Sequence, residues 1–378
     1  MIYFDNAATS KVSEEVIADI VDSLRNDWAN PSSIYEQGLE VKRKIEKARK
    51  QIADYINAEP EEIIFTASGS EANNLAIKGF LGTNKEYNSI ITTKIEHPSV
   101  YNTCLNSGVG ISYVPIHYSG IVSLNEFEDM LNTDHLQFVS IMMVNNEIGT
   151  IQNIKWLTEV AHHYNAVFHT DATQAFGKIP IDVKALGVDL MSVSLHKCGL
   201  PRGIAFLYKK KDIALSPIIH GGHQEMDLRA GTENTTYIIA AGKHVERMKS
   251  KGYPTHEMTN YLFNKIYDAV VKNHPDFYIN GTISPKDMVP NILSFTFPGI
   301  SAEALITLLG MKGVQVSAGS ACCSGESVPS MVLTAIGLSD EDAFSTIRIS
   351  INNDTTKEEC DEFVRILVEC LMNLKVLS

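Results

Sequence analysis

What this 378-residue chain lacks narrows its class before any motif is read. No apolar run approaches the roughly 20 residues that cross a bilayer, so no membrane span is expected. The amino terminus, Met1-Ile2-Tyr3-Phe4-Asp5-Asn6, has no basic segment leading into an apolar core; no secretory leader is expected, and the default location is the cytoplasm. Six cysteines (Cys104, Cys198, Cys322, Cys323, Cys360, Cys370) show neither CxxC pairs nor metal-ligand spacing with histidines, which argues against a zinc site or disulfide framework and for free thiols. Positive charge is not in excess either. A formal net charge of -13 argues against nonspecific binding to nucleic acid. The local basic run Lys42, Arg43, Lys44, Lys47, Arg49 and Lys50 shares a predicted helix with Glu40 and Glu46 and reads as a solvated face, with a docking surface as the alternative. There is no internal repeat and no low-complexity tract.

What is present is an ordinary globular composition, 44% hydrophobic, in a chain longer than a single core usually supports. Ser13 is placed to cap a helix with Glu14 and Glu15 in its first turn and Val16, Ile17, Ile20, Val21 and Leu24 at helical spacing. A second, longer helix runs through about Ile56. Short β-rich runs then alternate with helical segments: Glu62 to Thr66, Ser89 to Thr93, Ile111 to Pro115, Phe138 to Val144, Ala166 to Thr170, Leu190 to Ser194 and Ile204 to Tyr208. Such alternation predicts an α/β fold with a mostly parallel sheet covered by helices on both faces. A second αβ pattern follows the polar stretch near Met248, with strands expected at Asn291 to Phe297, Val314 to Ser317 and Thr346 to Ile351 and a last helix from about Thr356 to Leu374. The expected division is a large domain over residues 13–255 and a smaller α/β domain built from residues 1–12 plus 256–378.

Three side chains carry the chemical reading. Lys197 follows the Leu190 to Ser194 run, where the carboxyl end of a parallel strand collects ligands and an amine is well placed for an imine. Asp171 ends the preceding run, where a carboxylate suits a protonated pyridine nitrogen, and Gln174 is within reach of a ring oxygen; a helix-capping aspartate is the alternative. Cys322 lies in Ser317-Ala318-Gly319-Ser320-Ala321-Cys322-Cys323-Ser324-Gly325-Glu326, small residues with the pattern of a mobile loop that would let a thiol travel. Lysine, aspartate and cysteine together point to pyridoxal phosphate chemistry on a sulfur-containing amino acid. Gly69 and Ser70, in a strand-to-helix turn, offer a phosphate cradle. Ser194 and His196 add hydrogen bonds beside Lys197, His97 offers a ring to stack, and Arg348 offers a planar fork for a carboxylate, an edge-strand arginine in solvent being its alternative.

The motifs then resemble the cysteine desulfurases of the NifS and IscS type, class V aminotransferase-like enzymes. The matching stretches are Tyr3-Phe4-Asp5-Asn6-Ala7-Ala8-Thr9, Asn30-Pro31-Ser32-Ser33, Glu71-Ala72-Asn73-Asn74-Leu75-Ala76-Ile77-Lys78-Gly79, Glu96-His97, Val144-Asn145-Asn146-Glu147-Ile148-Gly149, Asp171-Ala172-Thr173-Gln174, His196-Lys197, Arg229-Ala230-Gly231-Thr232-Glu233-Asn234 and Gly319-Ser320-Ala321-Cys322. The resemblance implies a PLP-dependent transferase of fold type I, a homodimer with a seven-stranded sheet and no metal. It implies Lys197 as the imine-forming lysine and catalytic roles for Cys322, Lys197 and His97. Around pyridoxal 5'-phosphate it implies Asp171 on the ring nitrogen, Gln174 on the ring hydroxyl, His97 against the ring and Asn146 beside it. Gly69, Ser70, Ser194 and His196 would hold the phosphate, with Thr232 supplied by the other subunit, and Asn30 and Arg348 would bind the carboxylate of L-cysteine. Cys322 would take the sulfur as a persulfide, leaving alanine, and pass it to an acceptor protein serving iron-sulfur clusters, tRNA thiolation or cofactor sulfuration.

This chain departs from the family pattern in several places. Cys198-Gly199-Leu200-Pro201-Arg202-Gly203 replaces an aromatic-containing turn, Tyr35 stands where a histidine is usual, Cys323 adjoins Cys322, and Ile351-Asn352-Asn353-Asp354 follows the substrate arginine. With the chain ending at Ser378, these departures shift the expectation toward a dedicated acceptor rather than a general scaffold. Two other readings share the pattern: a selenocysteine lyase or other C-S β-lyase that does not require Cys322, and a noncatalytic sulfur-relay or regulatory binding protein. Cys323 as a second carrier of the persulfide is a further expectation.

Overall fold

Ser13 caps the first helix, Glu14–Asn26, as its sequence predicts: its hydroxyl accepts from the Val16 amide at 3.4 Å. The second helix, Glu36–Tyr55, turns Val41, Ile45, Ala48 and Ile52 to the core at helical spacing. The computed structural model describes residues 1–319 and 328–377; Ser320, Cys322 and Cys323 lie outside the described residues. In chain order the strands are β1 (Ile2–Tyr3), β2 (Ile63–Thr66), β3 (Ser89–Thr92), β4 (Gly110–Tyr113), β5 (Gln137–Ser140), β6 (Val167–Asp171), β7 (Leu190–Ser194), β8 (Ala205–Lys209), β9 (Tyr278–Ile279), β10 (Ile292–Thr296), β11 (Val314–Gln315), β12 (Ser317–Ala318) and β13 (Thr346–Ser350).

Seven of these form one sheet in the order β2-β8-β7-β6-β5-β3-β4. β8 runs against both its neighbours and the remaining pairings are parallel, which gives the mostly parallel sheet that the alternation predicts. Side-chain alternation feeds two cores. Ile91, Val139, Phe168, Met191 and Phe206 point to one face, and Ile90, Phe138, Val167, Leu190 and Leu207 to the other. Fully burying each such side chain stabilises the fold by roughly 1.5–3 kcal/mol.

A second sheet, β12-β13-β10-β9, is antiparallel throughout, and β1 pairs in parallel with β11. Ile2 and Phe4 pack with Leu262, Phe295, Ile347, Phe363 and Leu367, so the first residues of the chain enter a core made by its last third. The single strand expected at Val314 to Ser317 is split: β11 joins β1 and β12 joins β13, with Val316 at the crossing between the sheets. β1 and β9 span only two residues each, too few to leave a periodic signal in sequence.

Candidate active site

The carboxyl ends of neighbouring parallel strands converge, and each delivers a polar side chain. β6 ends on Asp171 and β7 on Ser194, and a single helical turn, Leu195–Lys197, follows β7 directly. Lys197 Nζ donates to the carbonyl oxygens of Ala7 and Ala8, each at 2.7 Å. The segment supplying those carbonyls is pinned to β13, where Asn6 Nδ2 donates to Ser350 O at 3.0 Å and the Ala7 amide to Ser350 Oγ at 2.9 Å. Neither hydrogen-bond partner of the amine is a carboxylate. Burial, followed by the charge of Arg348, brings Lys197 down to about 8, so a neutral, nucleophilic amine is accessible near neutral pH.

Asp171 is buried and both its oxygens are engaged: Oδ2 accepts from Asn73 Nδ2 at 2.8 Å and Oδ1 from the Thr173 amide at 2.9 Å. The bond to Thr173 is the local turn expected of a capping aspartate. The bond to Asn73 crosses to the helix that opens at Gly69 and aims the carboxylate into the cleft. His97 precedes the helix Pro98–Leu105, and its Nδ1 accepts from the Ser99 amide at 3.1 Å. Removal from bulk water lowers its pKa and keeps the ring neutral.

Gly69 opens a helix, Gly69–Asn74, whose cap Ser68 accepts from the Glu71 amide at 3.1 Å. A Cβ on Gly69 would come within 2.9 Å of Ser194 Cβ, so only glycine lets the helix start approach the end of β7 this closely. Ser194 is buried and Ser70 exposed on the two sides of that approach. His196 lies 3.2 Å from Thr9 Oγ1 through Nδ1, and burial, then Lys197, lowers it to about 4. A neutral imidazole follows.

Arg348 is 7% exposed on β13, between β12 and β10, which rules out the solvent-facing edge arginine. It donates to Asn146 O at 2.8 Å and to Asp5 Oδ1 at 2.9 Å, while its Nε is buried with no partner among the described residues. Gln174 is buried, donating through Nε2 to Ala7 O at 2.9 Å, so it shares that carbonyl with Lys197. These contacts link Lys197, Gln174, Asn146 and Arg348 through the chain's first residues. Asn30 and Thr232 are different: both are exposed, and Asn30 makes local bonds to Ser32 and Ser33. Thr232 belongs to a loop that Arg229 ties to Glu71 at 2.8 Å. Cys322 falls outside the described residues.

The donor set fits pyridoxal phosphate. An amine with no carboxylate among its hydrogen-bond partners, a buried carboxylate at the neighbouring strand end and a glycine-only helix start against the end of β7 lie together, and the buried Arg348 Nε still has a proton to give. Reading the sequence missed Asn73, Asp5 and the Ala7 and Ala8 carbonyls. Asn73 and Asp5 stood inside matching stretches, but backbone carbonyls leave no side-chain signal. The altered turn after Lys197 is a packed structural piece. Cys198 Sγ donates to Leu195 O at 3.1 Å, His244 Nε2 lies 2.7 Å from Cys198 O, and burial pushes the thiol up to about 12.

A family model of the class V aminotransferases matches residues 2–363, and the chain belongs to that family. Within it the chain groups with the cysteine desulfurases of the NifS and IscS type. It is 39% identical over 381 residues to a protein named cysteine desulfurase IscS from Methanosarcina thermophila, covering 100% of this chain and 93% of that one. A solved structure described as a NifS-like protein superposes with a TM-score of 0.90 at 34% identity, covering 99% of this chain and 100% of the other. A second, described as SspA in complex with cysteine, has a TM-score of 0.80 at 34% identity over 93% of this chain and 99% of that one.

Proposed function

We propose that this chain is a pyridoxal phosphate-dependent cysteine desulfurase that converts L-cysteine to L-alanine and carries the sulfur as a persulfide on Cys322. The observation that carries the reading is Lys197 at the end of β7, its amine on two carbonyl oxygens and brought down to about 8 by burial, with Asp171 at the neighbouring strand end. Pyridoxal phosphate would be held by Lys197, Asp171, Gln174, His97 and Asn146, with Gly69, Ser70, Ser194 and His196 at its phosphate and Thr232 reaching in from a second subunit. When bound, the group supplies an electron sink next to the substrate's Cα. Asp171, both of whose oxygens are held by Asn73 and Thr173, would be the partner of the ring nitrogen. Arg348 and Asn30 orient the substrate carboxylate.

Lys197 moves a proton at the substrate's Cα, for which a pKa near the working pH is well matched. His97, its pKa lowered by burial, would lie against the ring and take up a proton at the substrate thiol. The thiolate of Cys322 attacks the substrate sulfur: an S–S bond forms, the C–S bond breaks, and the carbon gains a proton to give alanine. Residues 13–255 are the cofactor-bearing domain in this reading and residues 1–12 plus 256–378 the smaller one, supported by Ile2 and Phe4 packing with the last third of the chain. Ala7, Val289 and Ile292 enter the larger core and mark the seam. A cytoplasmic homodimer that hands sulfur to a protein acceptor completes the proposal; among the described residues no helix is long and apolar enough to cross a membrane.

The test incubates the purified protein with pyridoxal phosphate and L-cysteine and follows alanine and protein persulfide together. Lys197→Ala is expected to abolish both, and Cys322→Ala to abolish the persulfide with at least a hundredfold loss of alanine. Undiminished alanine from Cys322→Ala would overturn the persulfide route and favour a C-S β-lyase.

A further inference from the structure

Lys178 is a lysine that the proposed chemistry leaves unused, yet it is 8% exposed and lies against the site. It follows Gly177, whose φ of +76° suits glycine, and stands four residues after Gln174 in a tight turn where Phe176 N bonds to Ala172 O and Lys178 N to Ala175 O. Nζ donates a short hydrogen bond to Gln174 Oε1, and among the described residues it has no other hydrogen-bond partner and no carboxylate. Burying a lysine this way costs free energy, and a residue kept at that cost calls for a function. Desolvation brings Lys178 down to about 7.

A primary amide can face either way, and both ends of Gln174 are fixed here. Oε1 is committed to Lys178, so Nε2 must face the Ala7 carbonyl at 2.9 Å. Nε2 has two hydrogens. The second is left for the cleft, beside the carbonyl that also binds Lys197 at 2.7 Å. We propose that Lys178 is a positioning residue that fixes the amide of Gln174 with its N–H toward the cofactor's ring oxygen. Without it Oε1 is left buried with no donor and the Ala7 carbonyl alone holds the amide, so its N–H is less firmly aimed. The inference rests on Gln174 addressing that ring oxygen, as proposed above.

A donor to the ring oxygen stabilises its anionic form and lowers the proton affinity of the conjugated imine nitrogen, so the pH midpoint of the bound cofactor's visible absorption band reports it independently of turnover. Lys178→Met, with Lys178→Leu as a second variant should the first fail to fold, is expected to raise that midpoint by roughly one unit. Gln174→Ala is expected to raise it similarly, and Lys178→Met added to Gln174→Ala to move it no further. A midpoint that moves in Gln174→Ala but not in Lys178→Met overturns the inference and leaves the cofactor reading intact. Additive shifts in the double variant also overturn it, because Lys178 would then act through its charge alone. A midpoint unmoved by Gln174→Ala overturns the ring-oxygen assignment and the inference with it.

Discussion

Glu96 shows how burial writes pH dependence into a single residue. Its Oε1 accepts from Thr93 Oγ1 at 2.8 Å and from the Met142 amide at 3.0 Å, while Oε2 is buried without a partner among the described residues. Burial raises the carboxyl to about 8, above its ordinary 4.5. A raised folded-state value means that the folded protein binds the proton more tightly, so the stabilisation is complete below about 4.5 and is lost as pH rises toward about 8. Glu147, raised by burial to about 7, acts in the same direction. The melting temperature of the cofactor-free protein is therefore expected to fall across this window, and Glu96→Gln, which keeps a neutral group there, should flatten the fall. A variant profile parallel to wild type would show that Glu96 is ionised in the fold. Sequence inspection placed Glu96 beside His97 in a matching pair but could not show its state, which depends on burial against Met142, just past β5 and forty-six residues away. Lys197 and Asp171 were legible for the opposite reason: Asp171 ends an apolar β run and Lys197 follows another by one turn, and the topology of a parallel sheet determines what such an end is for.

At the scale of elements, the helix Glu36–Tyr55 shows the limit of reading a charge run. Its basic run was expected on a solvated face, and Lys42, Arg43, Lys47 and Lys50 are exposed. Arg49 is not. It shares a helical stripe with Val41, Ile45 and Ile52, and its guanidinium binds both oxygens of Glu225 at 2.8 Å and Ile63 O at 2.7 Å, 4.7 Å from the Phe65 ring centroid. Glu225 also accepts from the Phe65 amide at 2.8 Å, and the three residues Glu225, Met226 and Asp227 all have positive φ, from 46° to 65°. Non-glycine residues held in that region cost roughly 1–3 kcal/mol each, and the bidentate pair offsets the cost while joining β2 to the loop that continues to Thr232. The partner lies 176 positions away, so no local pattern could reveal it. Arg49→Met should leave Glu225 buried and unpaired and cost about 3–5 kcal/mol in denaturant unfolding. Pairing with Glu225→Met should recover much of that loss, and a double variant no more stable than Arg49→Met would show that the loop strain, rather than the unpaired charge, sets the cost.

For the whole molecule the decisive question is what covers the outer face of the first helix. Val16 and Ser23 of Glu14–Asn26 are buried, yet Leu24, Trp28 and Ile34 are 62%, 75% and 92% exposed, with Ile17, Val21, Tyr35 and Leu39 beside them in sequence and also exposed. A concentration of large apolar side chains at this level is unusual on a monomer. It flanks Asn30, and Thr232 is also exposed; in the reading proposed above a second copy of the chain completes the site. The dimer was inferred from the match at Thr232; hydrophobic spacing alone could not separate an internal face from one awaiting a partner. Complementation tests it directly. Lys197→Ala subunits lack the amine and Thr232→Ala subunits lack the phosphate contact, but in a mixed dimer one site combines the intact Lys197 of one subunit with the intact Thr232 of the other. Mixing the two variants after mild dissociation should restore tight cofactor binding to one site per mixed dimer, while neither variant alone shows it. Trp28→Glu combined with Ile34→Glu should sediment as a folded monomer and abolish the restoration. Tight binding that Thr232→Ala retains by itself, or that mixing fails to restore, would place Thr232 outside the partner's site.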